Sequence, residues 1–264
     1  MFSNVPVGVQ RAVAGVALAT GVALAAQAEP EGAFLSRFDT QDRLGEGWQV
    51  SHFTIRTDDF RTAWTRDAIA WTAEGLTLSL LPAPEEAETP FHGAEVQRVR
   101  RTHYGRYEVE MTAARGMGVI SSLFTYTGPY YGDPQDEIDF EFLGRDTTKV
   151  WVTRFAKGER LPGQWLDLGF DAADGPHLYA FDWLPDRIVW YVDGEEFFRV
   201  EGEDHTLPDI PGRIMFNVWA GGPAQADWSG VAPEDMEAQA EYRCISYRPP
   251  ESSAPMCSDP VPGG

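Results

Sequence analysis

One stretch constrains this chain more than any other: Asp136-Glu137-Ile138-Asp139-Phe140-Glu141-Phe142-Leu143-Gly144. From Glu137 to Phe142, acidic and apolar residues alternate without a break. A period of two marks a β-strand whose faces meet different environments. Ile138, Phe140 and Phe142 therefore point into a core, while Glu137, Asp139 and Glu141 share the other face. Neighbouring carboxylates oppose one another's ionisation, so the pattern is costly unless the acids are solvated or used. Three readings are open: a solvated acidic face, a cation site of the DxD kind, or a catalytic carboxyl pair. Retaining glycosidases use two carboxyl groups about 5–5.5 Å apart. Positions i and i+4 of a strand are about 13 Å apart at the backbone, from a rise of about 3.3 Å per residue. Glu137 and Glu141 meet that requirement if the strand curves and their side chains converge. Asp139, between them, is placed to share a proton and keep one carboxyl neutral.

Around this stretch the 264 residues read as many short strands broken by turns. Strands are expected at 34–38, 53–55, 68–71, 75–81, 95–101, 104–111 and 119–126 before the acidic strand. After it they are expected at 149–155, 165–169, 177–183, 187–192, 196–200, 213–219 and 241–247. Asp193-Gly194 is a hairpin signal, and the proline- and glutamate-bearing run 82–90 is a surface loop. Helical periodicity and internal repeats are both missing, which argues for an all-β sandwich of two antiparallel sheets, a jelly roll, and against a propeller.

Residues 1–28 read as a signal peptide. Arg11 is their only charge, Ala12 to Ala26 is apolar and small, and Ala26-Gln27-Ala28 offers an A-x-A cleavage site. A secreted or periplasmic location follows, with no membrane association after cleavage, a domain over 29–250 and a flexible tail over 251–264. The formal charge of −20 argues against nucleic acid and anionic membranes as partners, and would repel an acidic polysaccharide at long range. Cys244 and Cys257 could pair in an oxidising compartment; two free thiols are the alternative. No CxxC, HExxH or P-loop is present, so no cofactor is expected. Aromatics stand beside the acids: Phe124 and Tyr126 on the preceding strand, Trp151 on the following one, and Trp219 two residues after Asn217. Each suits a core as well as a sugar-stacking platform.

Glu137-Ile-Asp-Phe-Glu141 resembles the ExDxE signature of glycoside hydrolase family 16. Tyr104 to Met111, Ser121 to Pro129, Asp146 to Val150, Tyr179 to Trp183, Trp190 to Gly194 and Ile214 to Trp219 are similar to segments of the family's bacterial lichenases. The resemblance covers roughly residues 34–248. It implies a jelly roll with a concave groove that cleaves a β-1,3-1,4-glucan internally with retention. It implies Glu137 as nucleophile, Asp139 as assisting acid and Glu141 as general acid/base. It places Glu95, Phe124, Tyr126, Asn217 and Trp219 along the groove, and a monomer with a polysaccharide substrate is expected.

The chain also departs from the lichenases. Trp151-Val152-Thr153 stand where they carry Gln-Phe-Asn, and Arg154-Phe155 replace two tyrosines. Gln135 stands for a tryptophan and Gln97 for an arginine. Trp151 is expected to close one end of the groove or to stack an acceptor sugar, which would favour transfer over hydrolysis. A transglycosylase or a glycanase acting on a bacterial exopolysaccharide is the alternative, and a non-catalytic glucan-binding module a third reading. The family's structural calcium uses an aspartate near the last strand; Arg243 falls there, so no metal is expected.

Overall fold

The computed structural model describes residues 31–202 and 206–260. The expected signal peptide lies outside them, as does the end of the tail. In chain order the strands are β1 (Phe34–Arg37), β2 (Trp48–Val50), β3 (Thr62–Trp64), β4 (Ile69–Trp71), β5 (Leu76–Pro82) and β6 (Phe91–Arg98). Then come β7 (Gly105–Thr112), β8 (Val119–Thr127), β9 (Asp136–Leu143), β10 (Lys149–Ala156), β11 (Glu159–Arg160) and β12 (Gln164–Asp167). The last are β13 (His177–Leu184), β14 (Arg187–Val192), β15 (Glu195–Glu201), β16 (Arg213–Ala220) and β17 (Ala238–Arg248). Among the described residues, α-helix is confined to the single turn Ala226–Ser229.

The strands form two antiparallel layers. One runs β2–β6–β16–β8–β9–β10, with β11 and β12 side by side on the far edge of β10. The other runs β4–β5–β17–β7–β13–β14–β15, with β1 continuing the edge that β5 occupies on β17. The β5–β6 hairpin joins the layers at one side, and β3 lies parallel to the start of β6. This is the expected jelly-roll sandwich. The Asp193-Gly194 turn has φ of 47° and 84°, the left-handed pair of a tight hairpin.

Alternation along the strands builds the core. Ile138, Phe140 and Phe142 have no exposed surface, nor do Leu76, Leu78, Leu80 and Val109. Phe142 meets Tyr179 across the layers with ring centroids 4.7 Å apart, and Phe216 meets Tyr242 at 4.6 Å. Two polar groups cross the core to the first layer. The Tyr242 hydroxyl donates to the carbonyls of Ser122 and Asn217 (2.9 and 3.1 Å), and Trp190 Nε1 donates to the carbonyl of Asp139 (3.2 Å). Buried donors must find acceptors, and these find them on the strands that carry the acids.

Several sequence expectations need correcting. Residues 53–55 form no strand: Thr54 makes an isolated bridge to Ala63, and Phe53 is half exposed. The short strands β2, β3 and β11 were not anticipated, because two or three residues carry too little periodicity to register. Residues 251–260 are tied to the domain rather than hanging free of it. Cys257 is bonded to Cys244, Met256 is buried, and Cys257 N–H donates to Ser246 Oγ. The buried Glu108 carboxylate accepts from Ser258 through both its N–H and its hydroxyl (2.9 and 3.0 Å). Arg243 pairs with Glu74 and with Glu241, so a guanidinium already supplies the positive charge where the resemblance places a calcium ligand. These residues do not fit a cation.

Tyr242→Phe keeps the ring and removes the donor shared by two buried carbonyls. It is expected to lower unfolding free energy by about 1–2 kcal/mol, measured by urea denaturation at unchanged slope.

Candidate active site

The ladder registers set the site. On the outer face of the first layer, side chains from successive strands line up in rows. One row reads Glu95, Asn217, Ser122, Glu141 and Trp151 from β6 to β10. The next reads Gln97, Met215, Phe124, Asp139 and Thr153. The third reads Arg213, Tyr126, Glu137, Phe155 and Arg160, ending on β11. A cleft of about 1540 Å³ runs along these rows, across the strands, from Gln49 and Ser51 on one side to Arg160 on the other. That exceeds the roughly 300–1,000 Å³ of a small-molecule pocket and suits an extended chain lying across the sheet.

The acidic strand is held from three directions. Asp136, 2% exposed, accepts from the backbone N–H groups of Lys157, Asp209 and Ile210 at 2.6, 2.7 and 2.9 Å. Trp190 fixes the carbonyl of Asp139 from beneath. Ladder bonds to β8 and β10 fix its edges. The acids thus stand on a rigid element rather than on a loop.

Burial dominates their electrostatics. Glu137 and Glu141 are partly open to the cleft, whereas Asp139 is 3% exposed and its Oδ2 has no hydrogen-bond partner. Desolvation pushes Glu141 up to about 8, helped by the charge of Glu137. It pushes Glu137 up to about 7, against the pull of Gln135, whose Nε2 donates to Glu137 Oε2 at 2.5 Å, and of Asp139. Asp139 is raised well above the usual range by burial, then by the charges of Glu137 and Glu141, then by its hydrogen bond to Glu137. That contact raises Asp139 and lowers Glu137, the signs expected when Asp139 is the proton donor and Glu137 the acceptor. Arg160 opposes all three upward shifts.

Beside the acids runs a buried polar chain. Ser51 Oγ donates to Glu95 Oε1 (2.6 Å), Gln97 Nε2 donates to Ser51 Oγ (2.9 Å), and Ser122 Oγ donates to Asn217 Oδ1. Burial raises Glu95 above its usual value. Glu95, Phe124, Tyr126, Asn217 and Trp219 all line the cleft, together with the three acids. Trp219 packs against Phe60 with tilted rings, centroids 4.4 Å apart.

Trp151 does not line the cleft, contrary to expectation. Its ring packs against Trp165, 5.1 Å between centroids, and fills the space that Gly163 leaves by lacking a side chain; a Cβ there would lie 2.2 Å from Trp151 Cζ2. It flanks Glu141 in the ladder, with its ring turned onto Trp165 beside the cleft. Sequence reasoning missed Ser51, Ser122, Tyr131, Arg160 and Arg213 as lining residues. Ser122 does fall on the acid-facing alternation of β8, which is the one signal that could have found it.

Comparison with known proteins places the fold in a family. The family model described as glycosyl hydrolases family 16 matches residues 56–242. The β-glucanase of Bacillus amyloliquefaciens is 37% identical over 228 residues, 86% of this chain and 92% of that protein. Among solved structures, a β-1,3-1,4-glucanase (lichenase) from a mouse hindgut metagenome superposes with a TM-score of 0.77 at 35% identity, covering 83% of this chain and all of that one. The β-glucanase of Bacillus licheniformis superposes at 0.76 with 36% identity, over 83% of this chain and 99% of that one. The chain belongs to family 16 of the glycosyl hydrolases.

Proposed function

We propose that the protein is an exported, monomeric, retaining endo-β-1,3-1,4-glucanase. One observation carries the reading: two half-open glutamates flank a buried aspartate on one strand face, at the floor of a cleft long enough for a polysaccharide. The relatives named β-glucanase support the substrate. Export rests on the apolar run Ala12 to Ala26 and the Ala26-Gln27-Ala28 cleavage signal in the sequence.

Glu141, raised to about 8, carries the proton that the leaving oxygen needs. As Glu141 protonates that oxygen, Glu137 attacks the anomeric carbon and the glycosidic bond breaks. The products are a glycosyl ester on Glu137 and an ionised Glu141. Glu141 then takes a proton from water, whose oxygen attacks the same carbon and frees Glu137. Asp139 acts through Glu137: its proton neutralises the carboxylate when that group leaves and recedes as it attacks. The transfer reading depended on Trp151 standing in the groove. With Trp151 packed on Trp165, hydrolysis is the reading adopted.

Glu137→Ala is expected to lose on the order of a thousandfold or more of its turnover on barley β-glucan, with azide restoring part of it as an α-glycosyl azide. Appreciable turnover by that variant without azide would sink the nucleophile assignment. For the parent, kcat/KM should rise as Glu137 ionises through about 7 and fall as Glu141 ionises through about 8, giving a narrow bell. Stability should show the same raised acid. A carboxyl raised on folding stabilises the protein below its unfolded pKa and loses that contribution as pH rises through its folded one. The Tm of Glu141→Gln should therefore exceed the parent's above pH of about 8 by more than it does at pH 5, as read by calorimetry.

A further inference from the structure

The two long walls of the cleft differ in chemistry. Beyond Glu141, the wall is apolar: Trp219, Trp64, Phe60 and Trp228 pack into a small cluster of their own. Beyond Glu137 stand two arginines. Arg213 and Arg160 occupy the same ladder row as Glu137, each two strands away on opposite sides. At a strand spacing of about 4.8 Å, each is about 10 Å from Glu137 at the backbone. Both line the cleft, and among the described residues neither forms an ion pair with a carboxylate.

Arg213 is built in rather than free-swinging. Its Nη1 donates to Gln97 Oε1 at 2.7 Å, and its guanidinium lies 4.7 Å from the Tyr131 ring centre. Its Nε is buried with no hydrogen-bond partner. A charged donor left unsatisfied in a cleft wall is costly unless a ligand supplies the acceptor. Arg160 is exposed on the β10–β11 hairpin, at the other end of the row. Of the acids between them, Glu137 is the one that ionises near neutral pH, at about 7, while burial holds Asp139 and Glu141 toward their protonated forms.

Resting on the glucanase reading, we propose that the chain this cleft recognises carries carboxylate substituents along one edge, on sugars either side of the cleaved bond, and that Arg213 and Arg160 bind them. Guanidinium and carboxylate match in shape and charge, and a partly desolvated pair is stronger than an exposed one. The net charge of −20 pointed away from acidic polysaccharides. That repulsion is long-range and is screened within about 8 Å at physiological ionic strength, whereas the arginines act at contact. The apolar wall, facing the other edge of the chain, fixes which way round it lies.

The test is a binding measurement on the Glu141→Gln protein, which keeps the substrate intact. Calorimetry would compare mixed-linkage β-glucan oligosaccharides with the same oligosaccharides oxidised at C6 to carboxylates. The oxidised pool is expected to bind about tenfold tighter at low salt. That ratio should fall part way in Arg160→Gln, an exposed change that leaves folding alone, and to about one when Arg213→Gln is added. A ratio at or below one in the starting protein, or one that survives both substitutions, overturns the proposal. Hydrolysis of neutral barley β-glucan by the unmodified enzyme reports separately on the glucanase reading. Its failure alongside a clear acidic preference would change the linkage assigned and leave the recognition standing.

Discussion

The structure depends on keeping three carboxyl groups together on one strand inside a low-dielectric trough. Left to water, Glu137, Asp139 and Glu141 would ionise and repel. Burial eases the conflict by raising all three, so that they need not ionise together. The cost falls on the fold, and the fold answers with restraint. Asp136 gathers three backbone donors, Trp190 reaches through the core to the carbonyl of Asp139, and Phe140 and Phe142 anchor the strand from below. A strand held this firmly cannot turn its acids out to solvent, so the raised pKa values persist. Chemistry at neutral pH is the consequence of a packing constraint.

Much of this was legible in the sequence. Period-two patterning announced β9 and most long strands, because one buried face imposes strict alternation. The acids' shared face followed from the same rule. What escaped notice depends on register, which no single strand encodes. That Ser51 would bond Glu95, or that Arg213 and Arg160 would fall in one row with Glu137, requires knowing which residues stand opposite each other. Trp151 shows the opposite failure. Its position in the ladder was right, but the space left by Gly163 drew its ring towards Trp165 and out of the groove. The tail misled through composition: prolines and glycines suggest looseness, and the bond from Cys257 to Cys244 removes it.

The two walls give the cleft a sidedness that the acids alone do not. Glu137 faces tyrosines and arginines; Glu141 faces a tryptophan cluster. A polysaccharide with two unlike edges can lie in such a trough in one roll orientation only. Orientation decides which hydroxyl meets Glu95 and Asn217, and so couples substrate selection to the buried polar chain beneath.

The Tyr242 hydroxyl has a further consequence. By tying the carbonyls of Ser122 and Asn217 to the far layer, it makes the curvature of the cleft floor and the cohesion of the sandwich one property. A floor residue cannot drift in evolution without loosening the whole domain. The walls are under no such obligation: the β10–β11 hairpin, the segment bearing Tyr130 and Tyr131, and the turn bearing Trp228 all stand outside the main core. New polysaccharide specificities should therefore arise by exchanging rims over a fixed floor, so that relatives with the same acids differ in the chains they accept.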